Sequence, residues 1–291
     1  MRRVIFNKFK SYIPGWNLLH AILEELRNTR KLFSEIYKNQ LMYSEIDSES
    51  SLSLLRYEHR TFSQHGEDGI IREIFKRIGT TNKTFVEFGV ETGIECNSLL
   101  LLHDGWSGCW IDGTHAHIEC IKSCFKEFIF DNRLNVLESF ITAENIQSLF
   151  LKLRVQTDLD LLSIDIDGND YWVWKAIVDY RPRVVVIEYN AIFPSDFNWI
   201  MAYNPSHVWD NSSYHGASLK ALELLGIEKG YNLVYCDISG ANAFFVRSDL
   251  IKDVFLSPYK SEKHYRTPNF SLNLMSAHPR NYGSYLQHPL N

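Results

Sequence analysis

The 291-residue chain is short of cysteine, has no long apolar run and carries no excess of positive charge. Its five cysteines (Cys96, Cys109, Cys120, Cys124 and Cys236) are odd in number and form no C-x-x-C pair. That argues against a disulfide framework and for reduced thiols in a cytoplasmic protein. Cys120 and Cys124 share a helix face at i, i+4, but no histidine pair follows at zinc spacing. No stretch of eighteen apolar residues is present, so no transmembrane helix is expected. The N-terminus has neither the apolar core nor the small-residue cleavage site of a secretory leader, so none is expected. A net charge of −5 gives no general attraction for nucleic acid. The glycine pattern G-x-G-x-x-G is also missing, which weighs against a dinucleotide site.

What is present is an ordinary globular composition with an uneven charge distribution, 45% hydrophobic and 22% charged. Residues 1–40 hold eight Lys/Arg and three Glu, about +5, which leaves about −10 for the rest. Within residues 17–43, Leu19, Ile22, Leu23, Leu26, Phe33, Ile36, Tyr37 and Leu41 recur at helical spacing. A basic stretch interleaved with apolar residues, Met1 to Lys10, precedes them. Such an arm can touch an acidic membrane surface, seed a homo-oligomer or pack on its own domain, and the last is the expectation. Residues 44–52 read as a polar, serine-rich linker. Three regions follow: a helical arm and linker over 1–55, a catalytic domain over 56–255 and an irregular, proline-bearing tail over 256–291.

From residue 61, strand and helix patterns alternate, the mark of a parallel sheet covered on both faces. Strands are expected at about 84–89, 108–112, 134–141, 160–167, 183–189, 231–236 and 242–247. Helices are expected after Ser63 and at about 94–103, 115–129, 143–154, 170–180 and 216–229. Only Asp237 to Ala241 joins the last two strands, too short for a parallel crossover, so they form an antiparallel hairpin. The expected fold is a doubly wound, mostly parallel seven-stranded sheet with an antiparallel last strand. Among doubly wound sheets, that last strand separates the methyltransferase version, Rossmann-like and class I, from the dinucleotide version.

The most informative stretch is Phe85-Val86-Glu87-Phe88-Gly89-Val90-Glu91-Thr92-Gly93, a strand breaking into a glycine turn. About twenty residues on, Gly108-Cys109-Trp110-Ile111-Asp112 ends on a carboxylate placed to accept hydrogen bonds from a ribose diol. Glu91 stands in the turn and would repel a pyrophosphate, by several kcal/mol on rough Coulomb grounds. It need not repel S-adenosylmethionine, whose charges near the reacting centre are a sulfonium and an ammonium. The candidate cofactor residues are therefore Glu87, Gly89, Gly93 and Asp112, joined by Asp165 and by Gln64, Glu67 and Asp68 before the first strand.

Acceptor chemistry is expected beyond the fourth and fifth strands. There Ile164-Asp165-Ile166-Asp167-Gly168 and Glu188-Tyr189-Asn190 bring carboxylates to strand ends. Asp167, Glu188 and Asn190 are an all-oxygen set suited to Mg²⁺. The alternative is that Asp165 bonds loop amides, Asp167 faces water and Asp170 caps a helix. The long loop 190–215 follows a strand end, so its aromatics and histidines are candidates for substrate contact. One of the loop's histidines, His207 or His215, can serve as general base, and the candidate catalytic residues are Asp167, Glu188 and His215.

Ser63-Gln64-His65-Gly66-Glu67-Asp68-Gly69-Ile70-Ile71, Val86-Glu87-Phe88-Gly89, Gly105-Trp106-Ser107-Gly108 and Ile164-Asp165-Ile166-Asp167-Gly168 resemble the FkbM-like S-adenosylmethionine-dependent methyltransferases. The resemblance covers about residues 60–250 and implies transfer of a methyl group to a hydroxyl of a sugar, glycan or polyketide-like acceptor. One departure is Glu91, which replaces the central glycine of the familiar motif. Asp167-Gly168-Asn169-Asp170 stands where nucleobase N-methyltransferases carry Asn/Asp-Pro-Pro-aromatic, so a nucleic-acid substrate is not expected. The rival readings are a nicotinamide-dependent sugar oxidoreductase or epimerase and a non-catalytic scaffold in glycan assembly.

Overall fold

The computed structural model describes residues 51–269, helical positions 18–19, 21–26, 29, 32–33, 36–37 and 39–40, and the strand Tyr285–Leu286. The basic stretch 1–10 and linker positions 44–50 lie outside the described residues.

Seven strands make one sheet: β1 (Thr84–Phe88), β2 (Ser107–Asp112), β3 (Leu134–Glu138), β4 (Leu161–Ile164), β5 (Val184–Glu188), β7 (Tyr231–Cys236) and β8 (Asn242–Arg247). Their order is β3-β2-β1-β4-β5-β8-β7. Strands β1 to β5 pair in parallel, whereas β8 runs antiparallel to both β5 and β7. This is the doubly wound sheet with an antiparallel last strand that the spacing predicts, the Rossmann-like arrangement of class I methyltransferases. A separate ribbon pairs β6 (Ile200–Met201) with β9 (Tyr285–Leu286).

The central strands are near-continuous apolar runs because helices cover both faces. On one face, Phe85, Trp110, Leu161, Val186 and Phe244 pack against α1 (Glu67–Ile78), α2 (Leu99–His103) and α3 (His115–Cys124). On the other, Val86, Ile111, Leu162, Ile187 and Phe245 pack against α5 (Ile146–Lys152), α6 (Asp170–Ala176) and α7 (Leu219–Lys229). The short helix α4 (Lys126–Phe130) follows α3 after a break at Phe125. In α1, Glu67 and Asp68 occupy the first turn and Lys76 and Arg77 the last, matching the helix dipole at both ends.

Several elements are shorter than their sequence patterns, and side chains explain two of the losses. Helix α2 starts at residue 99 rather than 94 because Glu87 takes the N–H groups of Asn97 and Ser98. Strand β4 stops at Ile164 because Asp170 accepts from Ile166 N and Gly168 N and bends the chain into a turn.

The packed body extends past the expected boundaries at both ends. Leu54 and Leu55 are each 1% exposed in the core, and Arg77 donates to the carbonyls of Leu52, Ser53 and Val254. Beyond residue 255, helix α8 (Ser261–His264) buries Ser261 and His264, and Tyr265 Oη donates to Ala191 O. The arm's expected packing on its own domain is not seen at its described positions, where Leu19, Leu26 and Phe33 are exposed. Among the described residues no helix is long and apolar enough to cross a membrane.

Candidate active site

Five adjacent strands place a polar side chain at one edge of the sheet, on the same face. Asp112 alternates with Trp110, Glu87 with Phe85, Glu188 with Val186 and Asn242 with Phe244, all on the α1 side. Asp165 continues the same alternation from Leu161 just past β4. Parallel strands share one carboxyl end and the antiparallel β8 begins at that edge, so the sheet gathers groups that lie 155 positions apart in sequence, from Glu87 to Asn242.

The glycine turn needs its first glycine for contact, not only for conformation. Gly89 has φ +77°, and a Cβ there would stand 1.4 Å from Asp165 O. Glu91 holds a left-handed φ of +49° with a full side chain, a conformation most non-glycine residues avoid. Gly93 lies under the turn, where a Cβ would meet the Trp110 ring at 2.6 Å. Its role is packing, and it does not line the cleft.

Two of the expected cofactor carboxylates are braces in this structure. Glu87 is 4% exposed; one oxygen accepts from Asn97 N and Ser163 Oγ, the other from Ser98 N and Ser98 Oγ. Burial raises its pKa against these hydrogen bonds. Asp112 is 6% exposed and accepts from Glu91 N at 2.9 Å and Thr114 N at 2.8 Å, with His117 Nδ1 at 3.1 Å. It thus ties the end of β2 to the glycine turn, with lone pairs left over for a further donor.

The segment before α1 divides the same way. Asp68 Oδ2 accepts from Thr61 N, Phe62 N, Ser63 N and Ser63 Oγ, which makes it a knot of the loop rather than a cleft residue. Glu67 lines the cleft, accepting from His65 N and from Asn242 Nδ2. Gln64 lines it as well.

Next to the cleft the expected catalytic trio does assemble. Oxygens of Asp165, Asp167 and Glu188 lie within 4.8 Å of one another, and Glu188 Oε2 is 3.4 Å from His215 Nδ1. Asp165, placed by sequence with the cofactor group, belongs to both regions because it also lines the cleft. Burial and mutual repulsion push the carboxyls of Asp165 and Glu188 well above the usual range. Desolvation, then the Asp170 charge, raises Asp167 to about 6. Burial lowers the imidazole of His215 in opposition to Asp170 and Asp167, which favours the neutral ring a general base requires.

Asn190 departs from the expected metal set. Its Nδ2 donates to Ser213 O and His215 O, so it fastens the long loop instead of facing the carboxylates. The carboxylates that come together instead are Asp165, Asp167 and Glu188, and Glu188 Oε2 is a buried oxygen with no hydrogen-bond donor. Asp170 does not cap α6 from outside but folds back on residues 166 and 168.

The loop 190–215 closes over the strand ends, though its aromatics serve mostly one another. Phe193 stacks on Phe197 and Trp199, and Tyr214 meets Trp199 edge-on. Trp199 is 2% exposed, so this cluster is a small core and not a free platform for a sugar. His207 lies on Gly168, where an added Cβ would come within 2.3 Å of its ring.

The cleft is lined by Glu67, Glu87, Glu91, Glu95 and Asp165, with no Lys or Arg in its lining. Arg60 pairs with Glu95 from outside, at an exposed position. Such a lining suits a cationic ligand and opposes a pyrophosphate. Tyr-x-x-x-Lys, the spacing of sugar oxidoreductases, occurs at Tyr171–Lys175 and Tyr259–Lys263, but Tyr171 is packed in the core and neither pair lines the cleft. Asn97 and Asn242 line the cleft without having stood out in sequence. Asn242 had one signal: it opens the strand after the diagnostic hairpin.

No family model matches the chain, and no curated protein is similar to it. Among solved structures it is similar to a Staphylococcus aureus protein described as a caffeoyl-CoA O-methyltransferase, at 15% identity over 73% of this chain and 99% of that one, TM-score 0.45. It is similar to the methyltransferase domain of bacterial CtHen1 at 14% identity over 61% and 96% of the two chains, TM-score 0.41. A third is the N-terminal domain of EvdMO1 with S-adenosylhomocysteine bound, at 13% identity over 64% and 80%, TM-score 0.40. These are likenesses of chain path, at identities too low to carry an activity across.

Proposed function

We propose that this chain is an S-adenosylmethionine-dependent O-methyltransferase acting on a hydroxyl of a sugar, glycan or glycosylated small molecule. One observation carries the reading: a cleft lined by five carboxylates and no Lys or Arg meets an acid–histidine cluster at Asp165. The cleft favours a cationic cofactor, and the cluster stands where an acceptor hydroxyl would lose its proton. The sugar acceptor rests on the sequence resemblance.

The cofactor supplies an electrophilic methyl group, so the protein's task is alignment and proton removal. Neutral His215 takes the acceptor's proton, and Glu188 at 3.4 Å stabilises the imidazolium that results. Asp167 orients the hydroxyl by accepting its hydrogen bond. Asp165, Asp167 and Glu188 would be the residues to hold Mg²⁺, which would acidify the acceptor hydroxyl.

Calorimetry with S-adenosylhomocysteine and with NAD is the first test. Binding of the former alone is expected; tight NAD binding without it overturns the reading in favour of an oxidoreductase. Labelled methyl transfer to a panel of sugar acceptors, with and without chelator, follows. Loss of transfer on chelation with intact S-adenosylhomocysteine binding assigns the cluster to a metal; chelator-resistant transfer assigns it to proton transfer alone. No transfer to any hydroxyl acceptor, with cofactor binding intact, removes the O-methyl assignment.

A further inference from the structure

We infer that Asn242, paired with Glu67, forms a subsite for the primary ammonium at the amino-acid end of the cofactor. The inference rests on the proposed cofactor and adds a residue from outside the glycine turn. Asn242 is the first residue of the antiparallel strand β8, 4% exposed, and it lines the cleft. Its Nδ2 donates to Glu67 Oε1 at 2.7 Å, and Glu67 is itself 1% exposed.

That contact fixes which way the amide points. An amide oxygen in the same place would face a carboxylate, so the nitrogen belongs on the Glu67 side. The oxygen is thereby committed to the other side, where it is closed to water and has no donor. A buried acceptor without a donor is unfavourable, and native proteins satisfy nearly all of them. Because Asn242 lines the cleft, a ligand bound there would supply the missing donor.

The neighbouring groups narrow its chemistry. Both oxygens of Glu87 already accept hydrogen bonds from Asn97, Ser98 and Ser163. Glu67 Oε2 accepts from His65 N, while Oε1 takes only the Asn242 amide. Across β5, Glu188 stands in register with Asn242, so the surroundings are acidic. A sulfonium has positive charge but no N–H. A primary ammonium has both, with one donor for Asn242 Oδ1 and another for Glu67. A carboxylate or phosphate would meet two acceptors and no cation.

The test compares S-adenosylhomocysteine with 5′-methylthioadenosine, which keeps the adenosine and thioether and lacks the amino-acid end. Both ligands are titrated calorimetrically into the full chain, wild type, Asn242→Leu and Glu67→Gln. Glu67→Gln removes the charge and lets a flipped Asn242 amide accept from the new one, so it decides the matter if Asn242→Leu fails to fold. Each variant is expected to bind S-adenosylhomocysteine at least about tenfold more weakly and methylthioadenosine within about twofold of wild type. Unchanged affinity for S-adenosylhomocysteine, or an equal loss for both ligands, overturns the subsite while leaving the cofactor reading intact. A wild type that binds neither ligand overturns the cofactor reading and the subsite together.

Discussion

Replacing Asp167 with asparagine should stabilise the fold at neutral pH while lowering turnover. Asp167 titrates near 6 in the folded chain against an ordinary value of 3.8, because desolvation and the Asp170 charge oppose its ionisation. Between those values the folded state holds a proton that the unfolded chain releases. Its stabilising share is therefore complete below about pH 4 and lost as pH rises through 6. At about 1.4 kcal/mol per pH unit the shift corresponds to about 3 kcal/mol. The residue is more than a third exposed, so solvent screening reduces that to about 1 kcal/mol. Asparagine cannot ionise, and it tolerates the φ of +53° at this position. Urea unfolding of both proteins at pH 4 and pH 7.5 should show a stability gap that widens by about 1 kcal/mol at the higher pH. A gap equal at the two pH values would mean that the carboxyl titrates normally. A variant less stable than wild type at pH 7.5 would mean that the negative charge has a cationic partner. Under either result the picture of self-repelling carboxylates is wrong.

Glu91→Gly should stabilise the protein by about 0.5–1 kcal/mol and raise Tm by about 1–2 °C, since glycine takes φ +49° without strain; a lower Tm by calorimetry contradicts the strained turn. Asp112→Ala should weaken S-adenosylhomocysteine binding by roughly 1–3 kcal/mol and lower stability by about 2 kcal/mol, because Glu91 N, Thr114 N and His117 lose their acceptor. Unchanged affinity in the folded variant would leave Asp112 as a brace only. A chain starting at Ser51 should fold and bind S-adenosylhomocysteine as the full chain does. One starting at Tyr57 should lose roughly 2–5 kcal/mol for each of Leu54 and Leu55, buried in the core; equal denaturant midpoints for the two truncations would show that residues 51–56 add nothing.

The architecture was legible from periodicity and loop length. Apolar runs spaced by helical patterns required a parallel sheet covered on both faces, and the five residues between β7 and β8 allowed only an antiparallel hairpin. Those are local rules of period and loop length, so they can be read without knowing what packs where. The same rules brought Asp167, Glu188 and His215 to the carboxyl edge of the sheet, because strand ends in a doubly wound fold converge there. What each polar side chain does at that edge emerged from the packed fold. Glu87, Asp68 and Asn190 were as plausible as ligand contacts as Glu67, yet both oxygens of Glu87, Oδ2 of Asp68 and the amide nitrogen of Asn190 are taken up by groups of neighbouring loops. Asp165 moved from the cofactor group to the junction of cleft and cluster, and Asn242 came into the site from a strand 175 residues beyond Glu67. The physical reason is that a carboxylate at a strand end has several lone pairs to satisfy, and which donors reach it depends on loops whose paths are set by packing far along the chain.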